Sequence, residues 1–330
     1  MPAGERVLVT GAGGFTGGHL ARRLAASGYR VRGLVRREDA ARSLEADGIE
    51  AARGDLRDER TLARAVEGMA VVFNIAALYR EAGLSASLYR AVNAEAPARL
   101  VEAAARAGVR RVVHCSTVGV HGDVRTPPAN EDAPLAPGDV YQRTKLEGEA
   151  LAAEAAARRG VELVIVRPSG VYGPGDRRLL KLFRAVARRR FVMLGSGRIY
   201  YHLTFIDDLC EGFRLCAEVP RAAGRTYILA GPEVTTLAAL VRVIAEEAGV
   251  PAPRLRMPVW PVWVAGALCE AVCAPFGFEP PLYRRRVEFF VKSRAFDIAR
   301  ARAELGFAPQ VGVREGIRRT LAWYREHGWV

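Results

Sequence analysis

The strongest constraint on the fold lies near the N-terminus, where residues 7–17 read Val-Leu-Val-Thr-Gly-Ala-Gly-Gly-Phe-Thr-Gly. A short apolar strand runs into a glycine turn, and a helix begins directly after it. Gly11 permits the tight bend, Gly14 lets backbone approach a pyrophosphate, and Gly17 lets the helix pack closely on the strand. The segment therefore predicts a dinucleotide site with the pyrophosphate at a helix N-terminus. The candidate contacts are Gly11, Gly13, Gly14, Phe15, Thr16 and Gly17.

After this turn, short apolar strands alternate with helices rich in Ala, Arg and Leu. The alternation predicts an α/β Rossmann fold with a doubly wound parallel sheet. The pattern loses its regularity after about residue 170, where Pro and Gly become more frequent. We therefore predict a Rossmann domain over 1–173, to which 203–230 returns, and a smaller C-terminal substrate lobe formed by 174–202 and 231–330. The predicted strands are 7–10, 30–35, 49–53, 70–75, 111–115 and 163–166, and the predicted helices are 15–27, 40–46, 59–67, 94–107, 140–159 and 205–218.

The formal net charge of +13 is carried almost entirely by arginine, because only three of the 49 basic residues are lysine. The arginines are scattered along helix faces and do not alternate with aromatic residues, which argues against nucleic-acid binding. The charge favours acidic small molecules such as phosphorylated cofactors. Five cysteines without metal-ligand spacing predict reduced, buried thiols and no metal site. Together with the absence of a signal-peptide pattern, this predicts a cytoplasmic protein.

The end of the second predicted strand bears on the choice of cofactor. NAD-selective folds place a carboxylate there to accept the ribose hydroxyls. This chain has Arg36 and Arg37 at that point, and its first acid is Glu38. A guanidinium suits a 2′-phosphate, so we predict NADP(H) in preference to NAD. The alternative is that Arg36 only stacks on the adenine.

Two later strand ends supply further candidate cofactor contacts. In open α/β sheets ligands lie at the carboxyl ends of the strands. Asp55, with Leu56 beside it, follows the third strand and is predicted to reach the adenine amino group. The fourth strand is followed by Asn74, Ala76 and Ala77.

Tyr141 and Lys145 are spaced to share one helix face and are the candidate proton-transfer pair. A tyrosine with an ordinary pKa near 10 needs a nearby cation to act as a base at neutral pH. Lys145 supplies that charge and can also hold the nicotinamide ribose. The chemistry also calls for a hydroxyl at a strand end, and Ser116 and Thr117 both follow the strand 111–115.

Over essentially its whole length the chain resembles the extended branch of the short-chain dehydrogenase/reductase superfamily, the NAD-dependent epimerase/dehydratase family. The resemblance implies that Thr117 is the catalytic hydroxyl, that Ser116 contacts the cofactor and that Pro168 lies beside the nicotinamide carboxamide. Asn93 matches a family asparagine of the cofactor site, although it could equally be a helix N-cap. The resemblance also implies a homodimer formed through the helix that carries Tyr141. The matching segments are 10–17, 54–56, 74–77, 115–122, 141–145 and 167–174.

The resemblance implies an oxidoreductase that moves a hydride to or from a secondary alcohol or ketone. The second lobe is most similar to the 3β-hydroxysteroid and sterol dehydrogenase subgroup, which implies a sterol-like ring substrate. A nucleotide-sugar epimerase with tightly bound NAD is the alternative. Such epimerases place a diphosphate-binding arginine where this chain has Tyr201 followed by His202. Arg177, Arg178, Arg198 or the cluster 284–286 could replace it. A sensor that binds the cofactor without catalysis is disfavoured by the complete Thr117, Tyr141 and Lys145 set.

The resemblance of the second lobe to the hydroxysteroid subgroup rests on residues 203–207 and draws attention to the segment 258–286. Residues 258–276 are nearly uncharged, and three arginines follow at 284–286. The apolar run is too short to span a bilayer. The sequence leaves three interpretations open: a packed helix, an apolar wall for a lipophilic substrate, or a helix resting on a membrane surface with the arginines toward the headgroups.

Overall fold

A computed structural model of the chain describes residues 4–79, 83–273 and 284–330, with the following elements. The strands are β1 Arg6–Thr10, β2 Arg30–Val35, β3 Glu50–Arg53, β4 Val71–Asn74, β5 Arg111–Cys115, β6 Glu162–Pro168, β7 Gly170–Tyr172, β8 Met193–Leu194, β9 Tyr200–Phe205, β10 Thr226–Leu229, β11 Val234–Thr236 and β12 Arg256–Met257. The helices are α1 Phe15–Ala26, α2 Glu38–Ala46, α3 Glu59–Val66, α4 Ala86–Arg90, α5 Ala96–Arg106, α6 Val140–Arg159, α7 Leu180–Ala187, α8 Ile206–Glu218, α9 Leu237–Ala248, α10 Val259–Cys273, α11 Arg284–Val291, α12 Ala299–Leu305 and α13 Val313–Glu326. A π-helical turn spans Ala91–Glu95, and short 3₁₀ turns span Val118–His121 and Pro220–Ala222.

The central sheet has seven parallel strands in the order β3-β2-β1-β4-β5-β6-β10. Its strands are apolar on both faces because helices cover both. In β1, Val7 and Val9 belong to one buried cluster and Leu8 to the other. The predicted Rossmann fold is therefore confirmed. The strand order reverses between β1 and β4, which places a ligand crevice at their carboxyl ends.

The two helix layers are distinct. On one face α3, α5 and α6 pack through Leu62, Leu100 and Ala152. On the other face α1 and α8 contact each other and pack through residues that include Leu20 and Phe213. Each layer contributes helices whose N-termini lie at the carboxyl end of the sheet, because each helix follows a parallel strand.

One predicted element differs from the structure. Instead of a helix from 94 to 107, the chain is helical from α4 through the π-helical turn to α5. Ser85 starts this segment by accepting a hydrogen bond from the Leu88 amide. Pro97 lacks an amide hydrogen, and the π-helical turn directly precedes it, where the regular backbone ladder has to change. Asn93 lies inside this turn, so the N-cap alternative is wrong.

Beyond β6 the chain forms two small sheets. In the first, β9 pairs in parallel with β7 and antiparallel with β11. In the second, β8 pairs with β12. The strand β10 lies at the edge of the central sheet beside β6, and α13 packs on α9. The domain boundary at residue 173 stays a prediction.

Candidate active site

A cleft of about 1390 Å³ lies at the carboxyl ends of β1, β4, β5 and β6 and continues toward the C-terminal part of the chain. It collects nearly all of the side chains that the sequence predicts for the site. The residues that line it are Gly11, Gly13, Gly14, Phe15, Thr16, Gly17, Arg36, Arg37, Asp55, Leu56, Ala76, Ala77, Ser116, Thr117, Tyr141, Lys145 and Pro168. Asn74 and Asn93 are not among the lining residues.

The glycine turn forms a cradle that side chains would fill. Gly11 has φ +68°, and a Cβ added there would lie 2.8 Å from the Cα of Ala76. A Cβ on Gly17 would overlap the carbonyl oxygen of Gly11. The N-cap of α1 is Gly14, which has no side chain to cover the first amide groups of the helix. These groups face the cleft at the positive end of the helix dipole, so the turn fits a pyrophosphate.

Asn74 does not line the cleft. Its side chain is buried, accepts a hydrogen bond from Thr10 Oγ1 at 2.9 Å and donates to His114 Nδ1 at 3.0 Å. Thr10 Oγ1 in turn accepts the amides of Ile75 and Ala76 at 3.0 and 3.1 Å. The Asn74 side chain thus bonds Thr10, which holds the loop that lines the cleft, and the cofactor contact of Asn74 stays a prediction.

Asn93 is likewise removed from the cleft. It is fully buried, accepts the Leu78 amide at 2.8 Å and donates to the Leu78 carbonyl at 3.0 Å. It also donates to Thr144 Oγ1 at 3.3 Å. Both ends of this amide brace the backbone after β4 against α6, and the cofactor contact of Asn93 stays a prediction.

Arg36 and Arg37, which follow β2, differ in whether they form an ion pair. Arg37 forms a bidentate pair with Asp39, at 2.9 and 2.6 Å. The exposed Arg36 has neither a hydrogen bond nor an ion pair with any part of the chain that the structure describes. Glu38 pairs with Arg53 and Arg42 and does not line the cleft. Thus the unpaired group at this end of the cleft is the Arg36 guanidinium. The first carboxylate after β2 in the sequence, Glu38, is neutralised by arginines.

Asp55 lies at the same end of the cleft. Both of its oxygens are held by Arg57, at 3.0 and 2.8 Å, and this pairing lowers the pKa of the Asp55 carboxyl. The carboxylate is therefore fixed in an ionised, oriented state, as an acceptor for a donor group needs it to be.

Tyr141 and Lys145 lie one turn apart on α6, whose N-cap Asp139 accepts the Gln142 amide at 2.8 Å. Lys145 is 1% exposed, and its Nζ donates to the carbonyl of Cys115 at 2.6 Å. Burial lowers the pKa of the ammonium. The Tyr141 ring packs edge-to-face on Tyr79 with centroids 5.0 Å apart. The helix spacing thus places both residues in the cleft, with the Lys145 ammonium at the end of β5.

The two hydroxyls after β5 have different surroundings. Thr117 Oγ1 accepts the Gly119 amide at 3.0 Å, which begins the 3₁₀ turn and points the hydroxyl into the cleft. Ser116 is held by its amide, which donates to the Val166 carbonyl at 2.6 Å. Its Oγ is buried and has no partner in the chain as described. A buried hydroxyl left unpaired beside a cleft fits a ligand that would pair with it.

His114 lies behind this group and was not predicted. Its Nδ1 accepts from Asn74, so the proton is on Nε2, which is buried and unpartnered within the described ranges. Burial first, and the Lys145 charge second, hold the His114 pKa well below its ordinary value. The His114 ring is therefore neutral at physiological pH. Lys145 remains the cation that we predict to act on Tyr141, because His114 carries no charge of its own.

At the far end of the cleft, the position of the epimerase arginine is occupied by groups without charge. Tyr201 Oη donates to the carbonyl of Phe289 at 3.3 Å. His202 donates from Nε2 to the Gly231 carbonyl at 2.9 Å and accepts the Phe296 amide at 3.3 Å. Burial lowers the pKa of His202, so this ring is neutral as well.

Only some of the arginines that could replace the epimerase arginine line the cleft. Arg177 and Arg178 line the cleft, with Arg177 over the Trp329 ring and Arg178 over the Phe15 ring. Arg178 also pairs with Asp176 at 2.8 Å. Arg198 does not line the cleft. The side chains at 284–286 lie outside the described part of the structure.

Several lining residues carry no local sequence signal. Phe289, Phe296, Trp323 and Trp329 come from the last quarter of the chain, and Arg294 joins them. No sequence motif predicts that these residues line the cleft. They reach it only because the C-terminal segment folds back onto the site. The apolar segment 259–273, one candidate for the substrate wall, does not line the cleft. This part of 258–286 therefore does not form the predicted apolar wall, and residues 274–283 lie outside the described part of the structure. The aromatic residues that line the cleft come from α11, α13 and the segments that follow these helices.

No helix in the described ranges combines the length and apolar character needed to cross a membrane. Within the same ranges, no group of three or more His, Cys, Asp or Glu side chains is arranged to hold a metal ion.

The chain is similar to known proteins in both sequence and fold. A model of the NAD dependent epimerase/dehydratase family matches residues 7–230. The chain is 31% identical to the 3β-hydroxysteroid dehydrogenase/Δ5→4-isomerase of Mycobacterium tuberculosis, covering 97% of this chain and 90% of that protein. It is 30% identical to the 3β-hydroxysteroid-dehydrogenase/decarboxylase isoform 2 of Arabidopsis thaliana over 81% of its length, but spans only 50% of that protein. Among solved structures, MoeE5 in complex with UDP-glucose and NAD superimposes with a TM-score of 0.75 at 28% identity, covering 98% of this chain and 99% of that one.

Proposed function

The chain belongs to the NAD dependent epimerase/dehydratase family and is an NAD(P)-dependent extended short-chain dehydrogenase/reductase, and from this premise we propose its reaction and substrate class. The proposed reaction is hydride transfer between NADP(H) and a secondary alcohol or ketone on a lipophilic, sterol-like ring. The observation that carries it is the meeting of Thr117, Tyr141 and Lys145 in one cleft with an aromatic far wall.

The proposed chemistry follows from the positions of these side chains. Tyr141 removes the proton of the alcohol, or returns it to the ketone oxygen, and the buried Lys145 stabilises the phenolate. Thr117 donates a hydrogen bond to the same substrate oxygen. When bound, the nicotinamide supplies or accepts the hydride. The Lys145 hydrogen bond to the Cys115 carbonyl fixes the ammonium group under the site and limits its motion.

The aromatic end of the cleft supports the substrate class. Phe289, Phe296, Trp323 and Trp329 all line the cleft and give it aromatic surface against which a fused ring can pack. The uncharged Tyr201 and His202 lie where a diphosphate would need a cation. The names of the mycobacterial and plant relatives agree with a hydroxysteroid-like substrate.

The preference for NADP rests on the arginine end of the cleft. Arg36 is free to meet a 2′-phosphate, whereas Glu38 is paired with arginines and does not line the cleft. The carboxylate that lines this end of the cleft, Asp55, is already paired with Arg57. A ribose diol would therefore find no unpaired carboxylate among the described residues here.

A second candidate is a nucleotide-sugar epimerase that keeps NAD bound. Arg177 and Arg294 favour it, because both line the cleft and neither pairs with a carboxylate in the described part of the chain. The likeness to MoeE5, solved with UDP-glucose and NAD, points the same way. In this case Arg177 and Arg294 would hold the diphosphate.

Mass spectrometry of the cofactor released by denaturing the purified protein separates the two candidates. The proposal expects an empty site or NADP(H), followed by consumption of one NADPH for each sterol ketone reduced. Retained NAD, with sugar-nucleotide conversion and no net change in free cofactor, would establish the epimerase instead. Catalysis-dead Tyr141→Phe protein is the control, because it should carry the same cofactor.

The family resemblance adds a homodimer through the α6 face, and this too stays a proposal. Sedimentation of the purified chain against concentration is the measurement, with a monomer at all concentrations as the result against it.

A further inference from the structure

The helix α10 presents an apolar surface to the outside of the molecule. Trp260, Val264, Leu268 and Val272 recur every fourth residue and are 69%, 42%, 63% and 65% exposed. Among the described helix residues, only Gly266 is buried. The packed-helix interpretation of this segment is therefore wrong for its outer face. The prediction of buried thiols is also wrong for Cys269 and Cys273, which are partly exposed on α10.

An arginine cluster lies beside residues 251–255, in the segment that precedes β12 and α10. The strand pair β8–β12 brings Arg188, Arg189 and Arg190, which follow α7, to the segment that leads into α10. Arg189, Arg190 and Arg254 line one shallow depression, and Leu255 lies exposed next to them. Over the described residues, none of these four arginines pairs with a carboxylate.

The contrast with other surface arginines is informative. Arg314 pairs with Glu246 and Glu247, and Arg318 pairs with Glu315. The arginine cluster at 188–190 and 254 is therefore not neutralised by a carboxylate of the described residues, and it lies by the segment that leads through β12 into the apolar helix. Positive charge beside exposed tryptophan and leucine is the arrangement of an interfacial membrane helix.

We propose that α10 and this arginine cluster bind the surface of a bilayer that contains anionic lipids. The apolar stripe inserts to the level of the headgroups, and the arginines pair with lipid phosphates. The helix has 15 residues, so it is about 22 Å long. This is shorter than the roughly 30 Å hydrocarbon core and agrees with a helix that lies on the membrane.

Charge favours a lipid surface over a second copy of the chain. A second copy of the chain, with its formal net charge of +13, would bring the same arginine cluster and further positive charge to this surface. An anionic bilayer compensates every arginine at once. The inference does not depend on the proposed substrate, because it concerns a surface outside the cleft.

Flotation of the full chain with phosphatidylcholine vesicles, with and without phosphatidylglycerol, tests the proposal. Binding is expected only with phosphatidylglycerol, and it should weaken as salt is raised. Each arginine near an anionic surface contributes about fivefold in affinity. The triple substitution Arg188→Gln, Arg190→Gln and Arg254→Gln should therefore weaken binding about a hundredfold.

A matched variant removes the same charge elsewhere. This variant carries Arg64→Gln, Arg106→Gln and Arg159→Gln, at positions on helices that cover the central sheet. It should change vesicle binding less than threefold. The pair Trp260→Ala and Leu268→Ala should weaken it at least tenfold, while the exposed pair Leu135→Ala and Val234→Ala should not. Unchanged cofactor affinity and melting temperature confirm that each variant is folded.

Three results would overturn the proposal. One is the absence of binding to phosphatidylglycerol vesicles. Another is an equal effect of the two triple substitutions, which would indicate attraction by net charge alone. The third is a dimer in solution that the Trp260 and Leu268 pair dissociates while vesicle binding is unchanged, which would assign the face to a second copy.

Discussion

Replacing Arg36 with Ala should change the cofactor preference of the enzyme. Arg36 is exposed at the cleft and has no partner in the described part of the chain, so its guanidinium needs no existing contact broken to meet a 2′-phosphate. NAD has a hydroxyl at that position and loses little when the guanidinium is removed. The substitution should therefore weaken NADP(H) selectively.

The magnitude follows from the surroundings of the group. A hydrogen bond to a charged partner contributes about 1.5–3 kcal/mol. Solvent exposure places Arg36 at the lower end of that range, because water and salt screen the pair. About 1.5 kcal/mol corresponds to about a tenfold rise in the Kd of NADPH. For NADH the expected change is less than twofold.

Arg37 provides the matched control. Its guanidinium is held by both oxygens of Asp39, so it must leave that pair before it can reach a phosphate. Arg37→Ala should change the Kd of NADPH by less than threefold. Titration calorimetry with NADPH and NADH, at low and high salt, measures all of these constants. Equal weakening of both cofactors by Arg36→Ala would refute the argument that this arginine recognises the 2′-phosphate.

Three other changes test the remaining parts of the site. Tyr141→Phe should lower kcat by about 10²–10⁴-fold, the size of a lost general acid–base step, with cofactor affinity unchanged; activity that survives would remove Tyr141 from the chemistry. Gly17→Ala should weaken cofactor binding at least tenfold, since its Cβ would overlap the Gly11 carbonyl oxygen, whereas Gly18→Ala meets its nearest atoms at 3.1 Å and should have a smaller effect in the same titration. The folded protein holds His114 neutral and the unfolded chain protonates it below about pH 6.5, so unfolding takes up a proton and its free energy falls as the pH drops from 7 toward 5, by at most about 1.4 kcal/mol per pH unit from this residue. Urea unfolding at several pH values should show a shallower slope for His114→Gln, and an identical slope would mean that the buried ring is protonated in the fold.

The sequence predicted much of the core architecture because its signals are local. The strands β2 and β5 and the helix α6 begin and end where their residue patterns predict. Apolar runs that are buried on both faces, alternating with helices, leave few arrangements other than a parallel sheet. The glycine turn is equally local, since its steric requirements involve residues a few positions apart, apart from the approach of Ala76.

Polar residues at strand ends were harder to assign from the sequence. Asn74 and Asn93 occur at positions where a cofactor contact is expected, yet the Asn74 amide bonds the Thr10 and His114 side chains and the Asn93 amide bonds the Leu78 backbone. Sequence position places such a residue near the site but does not say which way its side chain turns. That direction depends on partners such as His114 and Leu78, which are distant in the sequence.

What the sequence alone determined is the dinucleotide fold, the glycine cradle and the spacing of Tyr141 and Lys145, because each depends on periodicity or on steric limits within one or two elements. Only the tertiary structure decided which arginine beside β2 is free, which aromatic residues form the far wall of the cleft, and that the apolar face of α10 is turned outward. These outcomes depend on which groups meet across long stretches of chain. Competition for partners, such as Asp39 taking Arg37, is settled only when the whole chain has packed.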